Sequence, residues 1–309
     1  PWKMKEKEII EFIRKSVITR SKNVIVGIGD DTAVVKYTKN DYLLLTIDSI
    51  VENVHFKLNQ ATYYQIGKKA IAVNLSDISA MGGVPLYVLI SIGIPEGEKE
   101  AIGNLLNGFK YMAKRYKFEI IGGNLTKSNI LFIDVCAVGK VEKEYLKLRN
   151  GAKEGDLIYV TGNLGASQIK KHLNIKPRIE ESRFLVKNFP ISAMIDISDG
   201  LSSDLITLSK ESSVGFNIFL EKIPLSNEVK KISKTKKEEI FHALNDGEDY
   251  ELLFTISKKY KNKIPQKIKN TKITLIGEIT KDREYKGIYK NKEINITASG
   301  FDHFSILTS

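Results

Sequence analysis

The order of apolar and polar positions along the chain predicts alternating helices and strands. Residues 6–18 set Ile9, Ile10, Ile13 and Val17 on one face of an amphipathic helix. Residues 23–28 are an apolar strand that enters Gly27-Ile28-Gly29-Asp30-Asp31-Thr32-Ala33-Val34, and residues 42–47 are a second strand ending at Thr46-Ile47-Asp48-Ser49. Residues 62–81 read as one helix, stopped by Gly82-Gly83 and Pro85. A strand over 86–94 and a helix over 99–115 follow, the helix carrying Ile102, Leu105, Leu106, Phe109, Met112 and Ala113 at helical spacing. A strand over 118–121 opens onto Gly122-Gly123-Asn124, and a strand over 130–138 closes this half. Past the polar stretch 139–155 the pattern resumes. A strand over 157–161 meets Gly162-Asn163-Leu164-Gly165 and a helix from Ala166, a short strand covers 193–197, and Asp246-Gly247-Glu248-Asp249-Tyr250-Glu251 leads into a strand at Leu252. This mixed order predicts an α/β or α+β chain of two domains, 4–139 and 140–309.

Composition narrows the class. With 309 residues and 42% hydrophobic content the chain can bury a sizeable core. Its longest apolar run, 86–94, is too short to span a membrane, and its start has no signal-peptide core. Its one cysteine, Cys136, excludes an intrachain disulfide framework, so a cytoplasmic setting is expected. The formal charge is +11, from 48 basic and 37 acidic residues, which favours anionic partners. Lysine runs at 230–237 and 258–263 read as solvated faces, and no nucleic-acid-binding signature accompanies them. Phosphorylated small molecules remain.

The acidic residues supply the chemistry. In the 62–81 helix, Ala70, Asn74, Asp77 and Met81 share a face, and its apolar neighbours turn that face inward. A buried carboxylate is costly unless paired or metal-bound. Asp30-Asp31 follows a glycine, Asp48 ends a strand, and Asp196 and Asp199 flank Ser198 before a helix. Each alone has an ordinary reading as a turn or a cap, although one cap does not explain both Asp196 and Asp199. His55, seven residues past Asp48, is by itself more often structural than functional. The 162–165 turn could hold phosphate at a helix start, but no Gly-Lys-Ser/Thr follows it. Together, carboxylates at strand ends in a basic protein fit a nucleotide site with several Mg²⁺ ions and direct phosphoryl transfer.

The ordered set Gly29-Asp30-Asp31-Thr32-Ala33, Thr46-Ile47-Asp48-Ser49-Ile50-Val51-Glu52-Asn53-Val54-His55-Phe56, Asn74-Leu75-Ser76-Asp77, Ile195-Asp196-Ile197-Ser198-Asp199-Gly200-Leu201, Gly247-Glu248-Asp249-Tyr250-Glu251-Leu252 and Gly300-Phe301-Asp302-His303-Phe304 resembles thiamine-monophosphate kinase over nearly the whole chain. The resemblance implies ATP- and Mg²⁺-dependent phosphorylation of thiamine monophosphate to thiamine diphosphate. It also implies the two-domain aminoimidazole-ribonucleotide-synthetase-like fold, with N-terminal sheets joined in a homodimer. Carried over by position, it implies Asp30, Thr46, Ile47, Asp48, Asp77, Asn124, Asp196 and Asp199 around metal, with Asp30, Asp48 and Asp77 central to catalysis. ATP would meet Gly123, Asn124, Arg149 and Ser198, and thiamine phosphate would meet His55, Glu248 and Phe301. The family usually has Asp where this chain has Asn124, which keeps an oxygen ligand but removes a charge. Among relatives of the same fold, selenophosphate synthetase would need a reactive N-terminal cysteine and the hydrogenase-maturation dehydratase a C-terminal one. Neither is present, so aminoimidazole ribonucleotide synthetase is the better alternative; a basic nucleic-acid-binding module is the alternative of another class.

Overall fold

The computed structural model describes residues 6–95, 99–169 and 171–298. Phe301 and its motif lie outside the described residues.

The first helix, α1 (Glu6–Ser16), stops two residues before the end expected from its pattern. None of its residues is buried, and Ile10 and Ile13 stay 42% and 41% exposed. Ion pairs attach it instead: Arg14 Nη1 reaches Glu211 Oε1 at 2.8 Å, and Lys7 Nζ lies 3.4 Å from Asp199 Oδ2.

Strands β1 (Val24–Val26), β2 (Ala33–Lys36), β3 (Asp41–Val51), β4 (Val84–Ile94), β5 (Glu119–Lys127) and β6 (Phe132–Glu142) form one sheet, in the order β1-β2-β3-β6-β4-β5. The segment expected to break at Gly122-Gly123-Asn124 runs on as strand, because β5 pairs in parallel with β4 from Glu119 to Lys127. A parallel pair needs a crossover, and α3 (Lys99–Tyr116) provides it. β6 continues to Glu142, three residues past the domain division expected at 139/140.

Helix α2 (Tyr63–Ala80) is the centre of the molecule. Thr62 caps it, accepting from the Gln65 N–H, while the Gln65 side chain accepts from the Thr62 N–H, which closes a capping box. Helices α2 and α3 cross closely: a Cβ on Gly67 would meet the Leu105 carbonyl oxygen at 2.5 Å, and one on Gly108 would meet that of Tyr64 at 2.4 Å. Ile66, Ile71, Leu75 and Ile78 pack with Leu44, Val135 and Phe109 in the first core.

The second unit holds β7 (Asp156–Thr161), α4 (Ile179–Asn188), β8 (Ala193–Asp196), α5 (Leu201–Ser212), β9 (Gly215–Phe219), α6 (Asn227–Ile232), α7 (Lys236–Asn245), β10 (Leu252–Ser257), β11 (Lys267–Ile268), β12 (Thr271–Thr280), β13 (Tyr285–Tyr289) and β14 (Lys292–Asn295). Its sheet has the order β14-β13-β9-β12-β7-β10-β8, with β11 paired to β12. The helix expected from Ala166 is replaced by 3-10 turns at Ser167–Ile169 and Lys171–Leu173, and the regular helix starts only at Ile179. α2 touches both α4 and β8 of this unit as well as β3 and β6 of the first. That double contact places the acidic face of α2 between two sheets.

Candidate active site

A cavity of about 1110 Å³ lies between the two units, walled by β3, α2, the loop after β8, the 248–250 segment and α1. Its floor is acidic. Asp31, Asp77 and Asp196 come from the β1–β2 loop, α2 and β8, and each offers a carboxylate oxygen within 4.8 Å of the others. The helical spacing that turned Asn74 and Asp77 inward is present, and each has partners. Thr46 Oγ1 donates to Asp77 Oδ2 at 2.6 Å, and the Asp48 N–H donates to Asn74 Oδ1 at 3.1 Å. Ser76 Oγ donates to Asp196 Oδ2 at 2.6 Å, across the two units. α2 therefore aims one carboxylate into the cavity, holds the Asp196 carboxylate through Ser76 and holds the Asp48 backbone through Asn74.

Asp31, rather than Asp30, joins the trio. Asp30 accepts from the Asp31 N–H at 2.9 Å and the Arg149 N–H at 3.1 Å, so it orders the loop from beneath. Arg149 Nη2 donates to Asp31 Oδ1 at 2.6 Å. Asp31 Oδ2 and Arg149 Nε are buried without a hydrogen-bond partner.

The electrostatics follow from crowding. Burial, then the Asp48, Asp196 and Asp31 charges, push the Asp77 carboxyl well above its usual range. Burial and Asp31 do the same to Asp196, and burial followed by Asp31 raises Asp30 to about 7. Burial also raises Asp31, against the pull of Arg149. Carboxylates forced together in this way stay ionised only beside a cation. Hard oxygen ligands, a short mutual spacing and an orphaned carboxylate oxygen fit Mg²⁺.

The loop after β8 is held by a residue that composition does not single out. Asp204, in the first turn of α5, accepts from the Asp199 and Gly200 N–H groups, both at 3.1 Å. Asp204 thus holds the turn that enters α5, and Asp196 and Asp199 line the cavity beside it. The Glu248 and Tyr250 N–H groups donate to the Ser198 and Ile197 carbonyl oxygens, both at 2.7 Å, and tie a second loop to the first. Both residues take positive φ, 54° and 48°, a conformation uncommon for side chains of this size.

Glu248 and His55 line the far end of the cavity. Lys69, buried in α2, carries its ammonium to both: it donates to the His55 carbonyl oxygen at 2.7 Å and to Glu248 Oε1, and it lies 3.0 Å from His172 Nδ1. Burial lowers the Lys69 pKa and Glu248 opposes that; burial and Lys69 lower that of His172. Sequence reading passed over Lys69. The available signal was a lysine one turn from the apolar Ile66 and Val73, on the face of the helix that they bury.

Of the other expected residues, Thr46, Ile47, Asp48, Ser198 and Asp199 line the cavity together with Arg149. Gly123 and Asn124 do not: they lie on β5, the exposed edge strand, three positions from β3 in the sheet.

The chain matches two family models, the AIR synthase related protein N-terminal domain over residues 29–141 and the C-terminal domain over residues 145–290. It is 40% identical to the thiamine-monophosphate kinase of Buchnera aphidicola subsp. Schizaphis graminum, over 97% of this chain and 98% of that one. The chain belongs to the thiamine-monophosphate kinase family. The Haemophilus influenzae member is 36% identical, over 97% of this chain and 98% of that one. A solved structure of AaThiL complexed with AMPPCP and TMP superposes with a TM-score of 0.83 at 35% identity, covering 97% of each chain. The family models meet between 141 and 145, where β6 ends. No helix among the described residues is long and apolar enough to cross a membrane.

Proposed function

We propose that this chain transfers the terminal phosphoryl group of ATP to thiamine monophosphate, forming thiamine diphosphate and ADP in thiamine biosynthesis. The observation that carries the reading is the Asp31–Asp77–Asp196 trio on the floor of the inter-unit cavity, in a chain alignable with thiamine-monophosphate kinases over nearly its full length.

Both substrates are anions, so charge is the first difficulty. Asp31, Asp77 and Asp196 would hold Mg²⁺, with Asp48, Asp199, Asp30, Thr46 and the Ile47 carbonyl around them; when bound there it would neutralise the phosphate oxygens of both substrates. Arg149 Nε, buried without a hydrogen-bond partner and 4.0 Å from Asp30 Oδ1, is a donor available to a phosphate oxygen, while Nη2 stays on Asp31. Ser198 lies on the loop where an ATP phosphate would approach. His55 and Glu248 shape the opposite end for the thiamine moiety, whose thiazolium cation suits a carboxylate. The acceptor is a phosphate oxygen already ionised near neutral pH, so no general base and no covalent phospho-enzyme are required. In-line attack then depends on positioning and charge neutralisation.

A homodimer completes this reading. β5 is exposed along its nine residues, and Leu125 on it is 60% exposed. An apolar, unpaired edge of this kind needs a cover. A second copy packed on that face would bring its Gly123 and Asn124 to ATP, which one chain alone does not do. A reaction that consumes ATP, together with a single half-buried cysteine, fits a cytoplasmic setting.

The test is product formation. ATP, Mg²⁺ and thiamine monophosphate should yield thiamine diphosphate and ADP in equal amounts, separated by chromatography. No product from folded protein at saturating substrates would refute the assignment.

A further inference from the structure

A second cavity, of about 930 Å³, shares a wall with the candidate active site. The wall consists of residues 171–172 and 248–251. Glu248 and Tyr250 line the first cavity and His172 lies against Glu248, whereas Lys171 and Glu251 line the second. Seven basic and four acidic side chains surround this second cleft. Its back is already neutralised. Arg178 grips Glu251 with two hydrogen bonds, at 2.6 and 2.7 Å, and Lys171 Nζ lies 2.9 Å from the same carboxylate. Its rim is not: Lys117, Lys176 and Lys272 make no ion pair among the described residues. Helix α4 also begins here, with no side-chain cap on its first amides. The cleft therefore presents uncompensated positive charge around a concave, hydrogen-bonding floor.

We propose that this cleft is a second anion-binding site, for a small phosphate-bearing ligand gripped by Lys117, Lys176 and Lys272 against the Arg178–Glu251 pair. A long polyanion fits less well, because Glu180 and Glu228 stand on the same rim and would repel an extended backbone. The three lysines are exposed, so their replacement leaves the fold intact.

The test is calorimetric titration of inorganic pyrophosphate into the full chain with a chelator present. Without a cation the carboxylate floor of the first cavity repels anions, which isolates the second. The wild type should bind saturably. K176E/K272E should weaken binding about 100-fold at unchanged melting temperature, since each lost charge-assisted hydrogen bond is worth about a factor of ten or more. K237E, an exposed lysine outside both cavities, should bind like the wild type. No saturable binding by the wild type, or equal affinity in all three proteins, would overturn the proposal. So would tighter binding of a single-stranded oligonucleotide than of pyrophosphate.

Discussion

Lys69 and Glu248, 179 positions apart in the chain, meet as a buried ion pair at the end of the acidic cavity. The lysine side chain is fully buried and the glutamate 14% exposed. The pair joins α2 of the first unit to the strained loop of the second, and it sets the Glu248 carboxylate where the thiamine moiety is proposed to lie.

Lys69→Met should therefore do two things. Removing one partner of a buried pair leaves an uncompensated charge and costs about 3–5 kcal/mol. Chemical denaturation should register that loss, and Lys69→Met/Glu248→Gln should recover part of it. The KM for thiamine monophosphate should rise more than that for ATP in the single variant. Equal stability of Lys69→Met and wild type would show that the pair contributes nothing.

Asp77→Asn should separate stability from activity. It removes one of three carboxylates that repel one another, so the chelated protein should melt at a higher temperature than wild type. It also removes a proposed Mg²⁺ ligand, so kcat should fall by several kcal/mol of transition-state stabilisation, roughly 10³-fold. Mg²⁺ should raise the wild-type melting temperature and barely move that of the variant. Differential scanning calorimetry with and without Mg²⁺ checks both expectations.

The pH dependence has a definite sign. Asp30 titrates near 3.8 in its ordinary state and at about 7 in the fold, because of burial and Asp31. Between these values the folded chain holds a proton that the unfolded chain has released. Stability of the chelated protein should then fall as pH rises from about 4 to about 7 on account of Asp30. Asp77 and Asp196, raised in the same direction, add to the slope. Glu251 acts oppositely: Lys171 and Arg178 overcome its burial and hold its pKa below the usual value, so its contribution is lost as pH falls through the folded value. Saturating Mg²⁺ should flatten the fall above pH 4. Urea midpoints across this range, with chelator and with Mg²⁺, are the measurement.

Asn124 tests the dimer and the metal site together. Sedimentation at micromolar concentration should show a dimer, and Leu125→Glu, on the exposed strand β5, should give monomers of low activity. Asn124→Asp should lower the Mg²⁺ concentration at half-maximal rate, since a hard cation favours a carboxylate over an amide oxygen. An unchanged or higher half-maximal concentration would make Asn124 a strand residue without a part in metal binding.

Periodicity made most elements legible. The α2 helix begins at its Thr62 cap and ends where Gly82-Gly83 stops it, because caps and apolar spacing are local properties of the chain. Local reasoning failed where a long-range partner decided the outcome. β5 runs through two glycines because β4 pairs with it, and Ser167–Ile169 and Lys171–Leu173 form 3-10 turns in place of a regular helix while Asp249 holds the Gly165 N–H and Ser167 Oγ.

The sequence alone determined the class, the ordered acidic motifs and the family they belong to, since these depend on residue type and on spacing within single elements. Only the tertiary structure decided which carboxylates meet. Asp31 rather than its neighbour Asp30 joins Asp77 and Asp196, because Arg149 takes one side chain at its backbone and the other at its guanidinium. Lys69 joined Glu248 for the same reason: a buried charge needs a partner, and where that partner lies is set by how α2 packs between two sheets.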